Sequence, residues 1–112
     1  MKLFGACIAT RNIGSMVEFY TKVYGYEPYI DGPDHRFLTA QAIIFDLGDR
    51  DASPTKGAAL LYSVDDVDAE FARLSASGIA DCPPTDKPWG VRSFTIADPD
   101  GNTVNFFTVP RR

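Results

Sequence analysis

An α+β fold built from two strand–helix–three-strand units follows from three observations on the sequence. The apolar rhythm changes from period two to a three- and four-residue spacing and back, and does so once in each half. The halves are related by a weak repeat of roughly 50 residues. Between them lies "DRDASPTKG", a polar stretch rich in turn formers and without a periodic apolar face. At 112 residues, 45% hydrophobic and 23% charged, the chain is long enough for one core and too short for two comfortable ones. A single domain over 1–112 is expected, with module one at about 1–50 and module two at about 57–110.

The elements follow in order. "LFGACIAT" alternates as a strand, with Leu3, Gly5 and Cys7 on one side and Phe4, Ala6 and Ile8 on the other. In "NIGSMVEFYTKVYGY" Asn12 is placed to cap a helix whose inward residues are Ile13, Met16, Val17, Tyr20 and Val23 or Tyr24, and Gly25 is placed to close it in a left-handed conformation. "EPYID", "RFLTA" and "QAIIFDLG" are strand candidates separated by turn clusters such as "DGPDH". The second half repeats the order. "AALLYSV" reads as a strand and "DDVDAEFARLSASG" as a helix capped by Asp65 or Asp66, with Val67, Phe71 and Leu74 inward and Gly78 at its end. "IADC", "RSFTIAD" and "NTVNFFTV" are further strands.

The last two strands are joined by "DPDG", where Pro99 fixes φ at the first corner and Gly101 takes a positive φ at little cost. Alternation then sorts the hairpin. Phe94, Ile96, Val104 and Phe106 face the helices, while Ser93, Thr95, Thr103, Asn105 and Phe107 face the other way. By the same rule Leu60 and Tyr62 lie with the helices, and Ala59, Leu61 and Ser63 on the opposite face.

Composition excludes several classes. No apolar run approaches the roughly 20 residues that span a bilayer, and the N-terminus lacks the apolar segment of a secretory signal, so no membrane partner and a cytoplasmic address are expected. The net charge of −4 and the absence of a basic stripe argue against nucleic acid; the adjacent arginines, Arg111 and Arg112, stand at the C-terminus. Such a field favours neutral or cationic ligands. Cys7 and Cys82 have no metal-ligand spacing and are read as reduced thiols serving as small apolar side chains.

The paired βαβββ units, the first helix with "FYTKVYGYEP", the segment "VDDVDAEFARLSASGI" and the closing "WGVRSFTIADPDGNTVNFF" together resemble the vicinal oxygen chelate superfamily of glyoxalases, extradiol dioxygenases and bleomycin resistance proteins. The resemblance covers nearly the whole chain. It implies curled mixed sheets around a concave cleft, helices on the outer face, and a homodimer that completes two clefts. It further implies that metal-dependent members carry their ligands, commonly two His and a Glu, at positions that fall here at or beside Gly5, at or beside Ala59, and at Asn105. Glycine and alanine side chains offer no lone pair, and a neutral amide is a poor sole ligand for a transition metal. No metal, no cofactor and no catalytic residue is therefore expected.

What remains on the expected cleft face is apolar, aromatic and mildly polar: Phe45, Leu61, Asn105 and Phe107, with Ser63, Ser93 and Thr95 among them. Trp89, between Pro88 and Gly90, is placed either to stack on a ligand at the cleft mouth or to cover the sheet edge, and Arg92 to pair an acidic group on a ligand or a surface carboxylate. "DKPWGVRSFTIADPDGN" is most similar to the metal-free bleomycin resistance branch, although Ser93 stands where that branch often carries Glu. The expected function is sequestration of an aromatic or cationic drug-like molecule, with Phe45, Leu61, Trp89, Arg92, Asn105 and Phe107 as ligand-binding residues. The alternative is a lyase, isomerase or dioxygenase with an atypical or displaced metal site, which would need His35, the only histidine, to enter the cleft with Asp34 or Asp46. Asp65 with Asp66 and Asp98 with Asp100 stand where caps and turns place Asp, and are read as structural.

Overall fold

A computed structural model describes residues 1–109; the Arg111–Arg112 pair and the end of module two lie outside the described residues. The element order is β1 (Ala6–Thr10), α1 (Ile13–Tyr24), β2 (Tyr29–Asp31), β3 (Asp34–Phe37), β4 (Ala42–Asp46), β5 (Ala59–Ser63), α2 (Val67–Ala76), β6 (Thr85–Asp86), β7 (Arg92–Ala97) and β8 (Thr103–Thr108). Each half forms its own four-stranded mixed sheet, in the orders β1-β4-β3-β2 and β5-β8-β7-β6. In both, the first strand pairs parallel to the last, and the remaining pairs are antiparallel. The sheets are open, and the halves share one topology, two βαβββ units of an α+β fold.

Both helices bury one stripe. α1 buries Met16, Phe19, Tyr20 and Val23, and the left-handed Gly25 (φ 80°) ends it by donating its backbone N–H to the Thr21 carbonyl at 2.8 Å. The Asn12 side chain makes no capping bond, because its Nδ2 donates to Asp100 Oδ1 instead (3.1 Å). α2 begins as expected: Asp66 Oδ1 accepts from the Ala69 N–H at 3.1 Å.

Two strand expectations shift. "RFLTA" contributes only Arg36 and Phe37 to β3, which starts earlier at Asp34. "IADC" is not a strand; Pro83 and Pro84 follow it and supply no N–H to a ladder, and the edge strand is the short Thr85–Asp86. Both cysteines are free and exposed rather than packed in the core.

Two turns share one design. In Asp98–Asn102 and in Lys87–Val91, a proline follows the first residue, the fourth is a left-handed glycine, and the fifth closes the loop. Gly101 N–H donates to the Asp98 carbonyl and Asp98 N–H to the Asn102 carbonyl (3.0 and 2.8 Å); Gly90 and Lys87 do the same within their loop (3.0 and 2.7 Å). The φ angles of Gly101 and Gly90, 87° and 93°, are ones that L side chains rarely adopt.

One contiguous cluster forms the core, from Ile8, Met16, Tyr20, Phe37 and Ile44 in the first half to Leu74, Phe94, Ile96, Val104 and Phe106 in the second. Polar bonds stitch the same seam. The Tyr20 hydroxyl donates to Asp98 Oδ2 (2.7 Å), Thr10 Oγ1 donates to Asp100 Oδ2 (2.6 Å), and the Tyr24 and Tyr62 hydroxyls bond to one another. Arg73 of α2 reaches across to the terminal carbonyls of Lys22 and Val23 at the end of α1 (2.8 and 2.7 Å). Asp98 is buried, and its Oδ1 also accepts the N–H groups of Asp100 and Asn102, both at 2.9 Å. Asp98 and Asp100 are thus structural, as their turn position indicates. Among the described residues no helix is long and apolar enough to cross a membrane.

Candidate functional site

Each sheet turns one face to the helices and leaves the other uncovered. Strand alternation decides which residues lie on the uncovered face. In β7 and β8, Phe94, Ile96, Val104 and Phe106 are buried against the helices, and the register places Ser93 beside Phe107, Thr95 beside Asn105, and Leu61 of β5 beside Asn105 on the opposite face.

On that face lies a hollow of about 370 Å³ lined by Leu61, Lys87, Trp89, Val91, Ser93, Thr95, Asn105 and Phe107. Leu61 and Trp89 are 66% and 73% exposed. Asn105 Nδ2 donates to Thr95 Oγ1 at 2.7 Å, so the floor of the hollow is a preset amide–hydroxyl pair. The Lys87–Val91 turn brings Lys87, Trp89 and Val91 to one rim.

The structure therefore gathers Leu61, Trp89, Asn105 and Phe107 in one place. It does not bring Phe45 or Arg92 there. Phe45 lies on the uncovered face of the other sheet, in register with Ala9 and Asp34, with the Arg50 guanidinium 4.8 Å above its ring. Arg92 precedes Ser93 in β7 and so points to the helix side, where Nη2 and Nε donate to the two carboxylate oxygens of Asp68 (2.9 and 3.0 Å) and Nη1 to Asp86 (3.3 Å). These bonds hold the Asp68 carboxyl below its usual range and raise the guanidinium further. Of Arg92's two expected roles, the geometry shows the pairing with a surface carboxylate. Lys87 and Val91 were not singled out from the sequence; their signal is the Pro–Trp–Gly turn that they flank.

The positions at which the resemblance expects metal ligands do not fit a metal here. A Cβ on Gly5 would stand 2.2 Å from the Gln41 carbonyl oxygen, so this backbone admits no larger side chain without moving. Ala59 offers no lone pair, and Asn105, whose Nδ2 donates to Thr95, offers only a neutral amide oxygen, a poor sole ligand for a transition metal. Among the described residues no three His, Cys, Asp or Glu side chains come together. His35 pairs in register with the buried Ile44, so it faces the helix side, and its Nδ1 is buried without a partner. Asp34 lies on the opposite face, bound to Arg36 at 2.7 Å, and Asp46 accepts from the Gly48 N–H at 2.9 Å. His35 and Asp34 are thus divided by the strand that carries both.

Comparison with known proteins supplies the family. None of the curated proteins matches the chain. Solved structures do. A glyoxalase/bleomycin resistance protein from Catenulispora acidiphila superposes with a TM-score of 0.77 at 24% identity, covering 98% of this chain and 99% of its own. An antibiotic binding protein from a Streptomyces species gives 0.75 at 24% identity, with 98% and 97% covered. A lactoylglutathione lyase from Agrobacterium tumefaciens gives 0.73 at 19%, with 96% and 92% covered. At such identities the likeness concerns the fold. Residues 3–106, however, match the sequence model of the Glyoxalase/Bleomycin resistance protein/Dioxygenase superfamily, and the chain belongs to that superfamily.

Proposed function

We propose that this chain is a metal-free small-molecule binding protein, nearest in kind to the bleomycin resistance branch, which sequesters a planar aromatic, drug-like ligand without converting it. One observation carries the reading: the hollow on the second sheet combines an exposed indole, apolar walls and a neutral amide–hydroxyl floor, and offers no set of lone-pair donors for a cation. The fold shared with an antibiotic binding protein supports it.

The hollow is lined by second-module residues alone, from Leu61 to Phe107. A ligand of drug size needs more enclosure than one shallow wall supplies. In this reading a homodimer supplies it, the uncovered face that bears Phe45 in one protomer closing over the hollow of its partner, in the cytoplasm. A lyase, isomerase or dioxygenase would need donors that Gly5, Ala59 and Asn105 do not provide.

The test combines metal titration with a ligand screen on the purified protein. Zinc, nickel, manganese and iron should leave the thermal midpoint unchanged, whereas members of a panel of planar aromatics should raise it in proportion to the logarithm of their concentration and quench Trp89. Sedimentation should give a dimer. Stoichiometric binding of one metal per protomer, with thermal stabilisation, overturns the reading.

A further inference from the structure

The hollow has a charge of its own, opposite in sign to that of the molecule. Its walls are apolar at Leu61, Trp89, Val91 and Phe107 and uncharged at Ser93, Thr95 and Asn105; Lys87 is the one charged residue among the described residues that line it. No Asp or Glu is among the described residues that line it. The Lys87 ammonium donates to a neutral acceptor, Thr85 Oγ1, at 2.8 Å. Among the described residues it forms no ion pair, although Arg36, Arg73, Arg92 and Lys22 all do. An ammonium has three donors, and one is accounted for.

The placement of Lys87 is fixed from the backbone. Its N–H and C=O both hold the Lys87–Val91 turn, so the stem of the lysine and the indole two residues on leave the same rim. Exposed charges separated by more than about 8 Å are largely screened at physiological ionic strength. The net charge of −4, spread over the surface, therefore weighs less on a seated ligand than one ammonium at the rim.

We propose that the hollow selects aromatic acids over aromatic cations: a planar ring lies against Trp89 and Phe107 while its carboxylate, sulfonate or other anionic group takes the free donors of Lys87. This rests on the hollow being the ligand site, as proposed above, and reverses the preference that net charge alone favours.

The experiment uses calorimetric titration of the full chain with three probes of one ring system: 2-naphthalenesulfonate, neutral 2-naphthamide and N,N,N-trimethyl-2-naphthylammonium. The sulfonate should bind about tenfold more tightly than the ammonium, a difference of ~1.4 kcal/mol. Lys87→Ala should abolish that preference and Lys87→Glu reverse it, while Trp89→Ala weakens all three probes together. Equal affinity for sulfonate and ammonium in the wild type, or a preference that survives Lys87→Ala, overturns the charge assignment and leaves the hollow as the site. Binding of none of the three, or binding that Trp89→Ala leaves unchanged, overturns both.

Discussion

Tyr20 illustrates how single residues join the halves of this molecule. Its ring is fully buried and its hydroxyl donates to the carboxylate of Asp98. Burial is the main cause that raises its pKa, followed by the bond to Asp98; burial likewise raises Tyr24 and Tyr62, which share a hydrogen bond. An unfolded tyrosine ionises near pH 10. A pKa raised in the native state means that the stabilisation is complete below that value and is lost as pH climbs above it, because the unfolded chain then holds fewer protons. Urea midpoints should accordingly fall steeply above about pH 10, with a slope that corresponds to as many as about three protons. Tyr20→Phe should reduce that slope by about one proton. A midpoint flat up to pH 12 would contradict the proposed coupling.

At the scale of elements, the start of β1 shows how little space the sheet leaves. Ala6 N–H donates to the Gln41 carbonyl at 3.0 Å, and Gln41 itself adopts a positive φ of 52° to offer it. Gly5 passes so close that an added methyl would overlap that carbonyl. Gly5→Ala should therefore lower unfolding stability by about 2 kcal/mol, as overpacking does, measured by chemical denaturation. Most elements were legible from the sequence, because α1 and α2 carry capping or closing residues and a regular apolar stripe, and the β7–β8 hairpin alternates cleanly around "DPDG". What escaped were features decided by distant partners. Asn12 is drawn from its capping role by Asp100, 88 residues away, and β3 is registered by β4 rather than by its own pattern. For the site, alternation assigned Leu61, Asn105 and Phe107 to the open face, whereas the sequence left Trp89 either at the cleft mouth or over the sheet edge, and only the folded chain shows it lining the hollow. Arg92 fell on the helix side because alternation puts its neighbour Ser93 on the open face, and Asp68, on a helix, gave no local hint of the pairing.

At the scale of the whole molecule, the halves have separate sheets but one core. Hydrogen bonds from Tyr20, Thr10 and Asn12 converge on the Asp98–Asn102 turn of the other half, and Arg73 caps α1 from α2. We propose that neither module persists alone. Thermal unfolding followed by Trp89 emission, which reports the second half, should coincide with unfolding followed by far-ultraviolet dichroism, which reports both. Two separated transitions would show independent modules. The alternation of β7 and β8 has a wider consequence. Neighbouring residues in these strands answer to different surroundings: Phe94, Ile96, Val104 and Phe106 to a dry interior, Thr95, Asn105 and Phe107 to the hollow on the open face. A chain of this design can exchange the residues of its open face one at a time, and every intermediate along that path keeps the interior that folds it.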